Sequence, residues 1–211
     1  TFTTNYSWGE GEGGGAISAD GVAPLRIQDC DFFGNYLLMG DYSSYGGAVR
    51  VVGGDGLTIS NCLFLGNYQK GRTAGDTATY ITRGGNVYVT GVGPNGGIYG
   101  CRIEPSVTQG RTPEVVYVNN ANAFTIANTS IRGSPFSGCG IIKEGLGTLT
   151  LANSLVYGHA TNGILVRTGT VVIVNATLVS NSLWGVENNG GTVSVLNSIV
   201  WSNGAGGIDA D

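Results

Sequence analysis

Six segments of this chain are imperfect copies of one another when aligned on a central asparagine or aspartate. They read LRIQDCDFFGN (25–35), LTISNCLFLGN (57–67), FTIANTSIRGS (124–134), LTLANSLVYGH (149–159), VVIVNATLVSN (171–181) and VSVLNSIVWSN (193–203). A degenerate copy, GGIYGCRIEPS, covers 96–106, and TFTTNYSW supplies an opening half copy. The aligned position is then Asn5, Asp29, Asn61, Gly100, Asn128, Asn153, Asn175 and Asn197, with steps of 24, 32, 39, 28, 25, 22 and 22 residues. The two equal final steps define the unadorned unit. Each unit also carries a second, glycine-rich motif, as in GGAIS (14–18), GGAVR (46–50), GGNVY (84–88), NGILV (162–166) and GGIDA (206–210).

Within these segments apolar residues recur at every second position, the period of a strand with one buried face. A unit of about 22 residues holding three short strands cannot bury that face alone, whereas copies stacked in register bury a continuous column. The sequence therefore predicts an all-β fold, a right-handed parallel β-helix of about eight rungs. It is expected to form a single domain over 1–211, either whole or a piece of a longer chain, with long loops on one edge of the N-terminal half.

The stack assigns side chains. Three inward columns are expected: Ile17, Val49, Val87, Val116, Ile141, Ile164, Val186 and Ile208; Ile27, Ile59, Ile98, Ile126, Leu151, Ile173 and Val195; and Phe32, Phe64, Ile103, Ile131, Val156, Leu178 and Val200. Asn5, Asp29, Asn61, Asn128, Asn153, Asn175 and Asn197 are expected to form a structural ladder at a tight turn, each amide bonding the neighbouring rung, because asparagine tolerates left-handed backbone angles. On that reading the sequons Asn5-Tyr-Ser, Asn128-Thr-Ser and Asn175-Ala-Thr stay unglycosylated. Cys30, Cys62 and Cys101 share one inward slot with Thr129, Ser154, Ala176 and Ser198, and a buried thiol stack fits this slot better than a Cys30–Cys62 disulfide.

Composition narrows the function. Glycine supplies 38 residues and charged residues only 11%, without a collagen triplet period, which suits a repetitive β protein. A formal charge of −4 with scattered basic residues offers no footprint for nucleic acid. There is no apolar run long enough for a membrane-spanning helix, the opening residues lack signal-peptide regions, and no cysteine spacing suggests zinc. No cofactor and no metal site are expected.

The pair GGA[ILV] followed by FxxN, seen in GGAI…FFGN (14–35) and GGAV…FLGN (46–67), resembles the repeats of chlamydial polymorphic outer-membrane proteins. Later copies, such as TLTLANSLVYG, look like the repeats of secreted or surface-anchored bacterial proteins with the pectin-lyase-like fold. The resemblance implies an extracellular or cell-surface location, and it places any substrate groove at the edge where the glycine-rich strand meets the long loops. It implies little about activity, because that fold hosts enzymes, adhesins and fibres alike.

That edge carries the candidate chemistry. Insertions at 36–45, 68–83 and 107–113 leave one corner of the stack, and loops on a rigid scaffold concentrate function. Arg50, Tyr88, Tyr117, Tyr45, Tyr68, Tyr80, Arg72 and Arg83 are the candidate carbohydrate contacts, since rings can stack on pyranose faces and guanidinium groups pair with hydroxyls or carboxylates. No catalytic set emerges: Asp41, Asp76 and Glu114 make no stacked pair of the kind glycoside hydrolysis uses, and His159 is expected in a surface turn without a partner. A polysaccharide-active enzyme is therefore the second reading, behind a structural or adhesive element.

Two further features suggest association. The chain opens with what reads as the second and third strands of a rung and closes with a first strand, so the ends are expected to stack head to tail into a filament. Outward positions of the C-terminal rungs, Leu155, Tyr157, Val172, Val174, Val179, Leu196, Ile199 and Trp201, are apolar and predicted to form an interface with a partner subunit or domain.

Overall fold

A computed structural model describes residues 1–9, 13–21, 23–39, 44–70, 82–105, 112–120, 122–134 and 137–210. Every strand pairing among them is parallel and links successive repeats. The first sheet stacks Ile17–Asp20, Val49–Val52, Val87–Thr90, Thr112–Asn119, Ser137–Glu144, Ile164–Val166, Trp184–Asn188 and Gly206–Ala210. The second runs from Leu25–Gln28 through Leu57–Ser60, Gly96–Tyr99, Phe124–Ala127, Thr148–Ala152 and Thr170–Val174 to Thr192–Leu196. The third begins at Phe2–Thr3 and ends at Ile199–Trp201. The chain thus winds first, second, third sheet, then returns one rung further on, a right-handed β-helix.

All three predicted inward columns are in register. Val87 faces Val49 and Val116, Ile98 faces Ile59 and Ile126, and Phe64 faces Phe32 and Ile103. These residues sit at or near zero exposure in one continuous core. Phe2, Phe32 and Phe64 stack with ring centroids 4.8 and 4.6 Å apart, each burial contributing about 1.5–3 kcal/mol.

The asparagine reading divides in two. Asp29, Asn61, Asn128, Asn153, Asn175 and Asn197 do occupy the left-handed turn between the second and third sheets, with φ between 47° and 52°. Their side chains are exposed, however, and the only inter-rung bond among them runs from Asn61 Nδ2 to Asp29 Oδ1 at 3.2 Å. The corner is held by the next residue instead. The Sγ or Oγ of Cys30, Cys62, Cys101, Thr129, Ser154 and Ser198 donates to the carbonyl two residues back. Those of Cys101, Thr129, Ser154 and Ser198 also accept the amide N–H of the preceding rung at 3.1–3.4 Å. Except at Ala176, which contributes only its backbone N–H, this column shares a short side chain that can both donate and accept. All four cysteines are free thiols.

The true amide ladder lies at the corner between the third and first sheets, inside the stack. Asn67 Oδ1 accepts from Asn35 N and Nδ2, and Asn67 Nδ2 donates to Phe32 O and Asn86 Oδ1. Asn5 belongs here and not with Asp29, because Phe2 pairs with Phe32 and Asn5 donates to Asn35 Oδ1. The ladder resumes at His159, Asn181 and Asn203. His159 is accordingly 1% exposed and not a surface turn residue. The sequon argument fails with the buried ladder it assumed, since Asn5, Asn128 and Asn175 are all exposed.

The opening register also changes the picture of the ends. Phe2–Thr3 is a third-sheet strand, and Tyr6–Gly9 leaves the stack to pair with Tyr36–Met39 in a side sheet that Tyr68–Lys70 extends. The two ends contribute a third-sheet and a first-sheet strand, with no second-sheet strand between them.

Candidate functional site

The outward column of the first sheet brings Ser18, Arg50, Tyr88, Tyr117, Ile142, Leu165, Glu187 and Asp209 into register. Its centre is unusually buried for an outer face. Tyr117 is 2% exposed and packs with Cys139 and Ile142 in a second, small apolar cluster outside the bore.

The rings there engage one another. Tyr45 lies against Tyr88 at 4.7 Å, Tyr88 stacks on Tyr117 at 5.1 Å with planes 3° apart, and the Arg83 guanidinium lies 4.6 Å over the Tyr117 ring. Tyr88 lies between Tyr45 and Tyr117, and Tyr117 between Tyr88 and Arg83, so these two rings keep no free face to stack on a sugar. Arg50 is likewise engaged, by Asp20 at 2.9 Å and Ser18 at 3.4 Å.

Glu144 ties the cluster together. It accepts from the Tyr117 hydroxyl, from Arg83 Nη1 at 3.1 Å and from Arg167 Nη1 at 2.5 Å. Burial alone would raise its pKa, but the hydrogen bonds from Tyr117 and Arg167 and the charge of Arg83 hold it below the ordinary glutamate range. Tyr117 moves the opposite way, raised by burial and by donating to a carboxylate. Glu114 accepts from Gly84 N at 2.9 Å and is pushed up to about 7 by burial, which outweighs that bond and the nearby Arg83. On the inward side of the Ser137–Glu144 strand, Lys143 is buried at the position of Val118 and Val166. Its ammonium donates to the carbonyls of Glu144 and Gly145 at 2.5 Å, and burial lowers its pKa to about 8.

Of the candidate carbohydrate contacts, the fold brings Tyr45, Tyr88, Tyr117, Arg50 and Arg83 together. Tyr68 stands apart, in a stack of Tyr6, Tyr36 and Tyr68 with centroids 5.6 and 5.2 Å apart. Arg72 and Tyr80 lie outside the described residues, as do Asp41 and Asp76. Sequence reasoning missed Glu144 and Arg167, which converge with Arg83 from three different repeats. Among the described residues no group of three or more histidine, cysteine or acidic side chains could hold a metal ion.

The apolar interface candidates occupy two faces, not one. Val172, Val174 and Leu196 point outward from the second sheet, while Leu155, Tyr157, Val179, Ile199 and Trp201 point outward from the third. Exposure rises toward the last rung, with Leu196 at 52%, Ile199 at 60% and Trp201 at 72%. No described helix is long and apolar enough to cross a membrane.

A family model described as "right handed beta helix region" matches residues 13–211. No curated protein and no solved structure matches the chain.

Proposed function

The chain belongs to the right-handed β-helix family, and on that premise we propose that it is an extracellular or cell-surface structural and adhesive solenoid. The observation that supports a scaffold is the state of the looped edge: its tyrosines stack on one another and Glu144 is bonded by Tyr117, Arg83 and Arg167. Such a site spends its charges on rigidity. Among the described residues Glu114 is the carboxyl pushed up to about 7, and at 2% exposure it is buried, accepting from Gly84 N. Glycan contact at this edge would use the Tyr45 and Tyr88 hydroxyls and the rim of Arg50.

Self-association completes the reading. The exposed Leu196, Ile199 and Trp201 suit lateral packing on another subunit or domain.

A glycan array, paired with reducing-sugar and unsaturated-uronate assays on each bound glycan, tests the adhesive reading. Binding without product is expected, and turnover of any bound polymer would replace this reading with that of a polysaccharide-active enzyme. For association, Val174→Lys with Trp201→Glu should lower the mass measured by light scattering; an unchanged mass removes the patch as an interface.

A further inference from the structure

We propose that the corner between the second and third sheets is a binding trough for a neutral glycan chain, with Asn128, Asn153 and Asn175 as its hydrogen-bonding rail. The proposal rests on the adhesive reading but moves the ligand to a different face from the looped edge. An open groove of about 620 Å³ crosses three rungs here, lined by these asparagines with Ser130, Leu155 and Thr177 among others.

The rail follows from the turn. Left-handed backbone angles of 48–52° at Asn128, Asn153 and Asn175 turn each side chain out into the trough, where all three are exposed. None of the three amides bonds to another described residue, in contrast to Asn61 on Asp29 and to the buried ladder through Asn35 and Asn67. Each therefore presents two donors and an acceptor to whatever enters. Successive rungs lie about 4.8 Å apart, so the groups form a one-dimensional array. A linear polymer meets such an array at several points, where a small molecule meets it once.

The lining selects the polymer. No charged side chain lines the trough, which disfavours uronates, phosphates and other ions. Hydroxyl groups both donate and accept, as the amides and the Ser130 and Thr177 hydroxyls do, and Leu155 offers one apolar surface for the C–H face of a ring.

The turn supplies its own control. Gly100 stands at the same position with φ 60°, so glycine keeps the turn while removing the amide. The full chain, made in a host that does not N-glycosylate, is titrated calorimetrically with cellohexaose, N-acetylchitohexaose, maltohexaose and, as anionic control, hexagalacturonate. At least one neutral probe is expected to bind. In the triple variant Asn128→Gly, Asn153→Gly, Asn175→Gly its affinity should drop by at least about tenfold. Should the triple variant fail to fold, the single Asn153→Gly carries the same expectation at smaller size. Asn61→Gly, at the same turn but outside the trough, should leave binding unchanged, while Arg50→Ala with Tyr45→Ala reads any contribution of the looped edge separately. Binding lost in the edge variant and kept in the glycine variant overturns the trough while sparing the adhesive reading; no neutral binding, or binding of the anionic probe alone, overturns the trough outright.

Discussion

Replacing Asn67 by alanine tests the internal ladder at its most connected point. The substitution removes four hydrogen bonds of 2.9–3.0 Å, to Asn35 N, Asn35 Nδ2, Phe32 O and Asn86 Oδ1. All lie where Asn35, Asn67 and Asn86 are fully buried, so water cannot replace them. A buried polar group left without its partner costs about 1–3 kcal/mol. Allowing for relaxation and for the second bond that Asn35 Nδ2 keeps to Phe2 O, the loss should be about 4 kcal/mol. The comparison is Asn61→Gly, which removes one exposed bond of 3.2 Å at a φ of 52° that glycine adopts freely; it should cost less than about 0.5 kcal/mol. Urea unfolding followed by tryptophan fluorescence and far-ultraviolet circular dichroism reads both as midpoint shifts. A cost for Asn67→Ala below about 1 kcal/mol, or no larger than that of Asn61→Gly, would refute the assignment of the ladder to the inner column.

Further outcomes follow from buried groups. Burial lowers the pKa of His159 to about 4, so its unfolded form protonates first as pH falls from 6.5. Stability should therefore decline between about pH 6.5 and 4, by about 3 kcal/mol in full, and His159→Asn should flatten that limb. Lys143 has the opposite window: with its pKa lowered to about 8, the unfolded chain holds more protons between pH 8 and 10.5, and stability should rise with pH there. The difference between parent and Lys143→Met melts across that range isolates the effect, and parallel curves would contradict it. In thiol titration Cys30, the one partly exposed cysteine, should react first, and all four should react in urea; fewer than four in urea would indicate a disulfide.

The core was legible because inward side chains obey a strict period of two, and a column is confirmed by every rung that repeats it. Turns were harder, since the repeats 57–67, 171–181 and 193–203 carry asparagine at both corners and the two corners recur at the same interval. The opening copy shows how the ambiguity resolves: Phe2-Thr3-Thr4-Asn5 is itself an FxxN motif, matching Phe32 to Asn35, and aligning on phenylalanine would have placed Asn5 in the inner ladder. The same spacing, Val156 to His159, marks the histidine as a ladder member. Glu144 left no such trace. Its partners Arg83 and Arg167 come from 61 and 23 residues away, on outward positions that no periodicity constrains.

Methyl-to-methyl nuclear Overhauser contacts measure the stacking order itself. Strong contacts are predicted between Ile59 and Ile98, Ile98 and Ile126, Ile126 and Leu151, and Leu151 and Ile173, each residue meeting only its counterparts one repeat before and after. Contacts that skip a repeat, or that join these strands in antiparallel order, would contradict the parallel winding on which every other assignment depends.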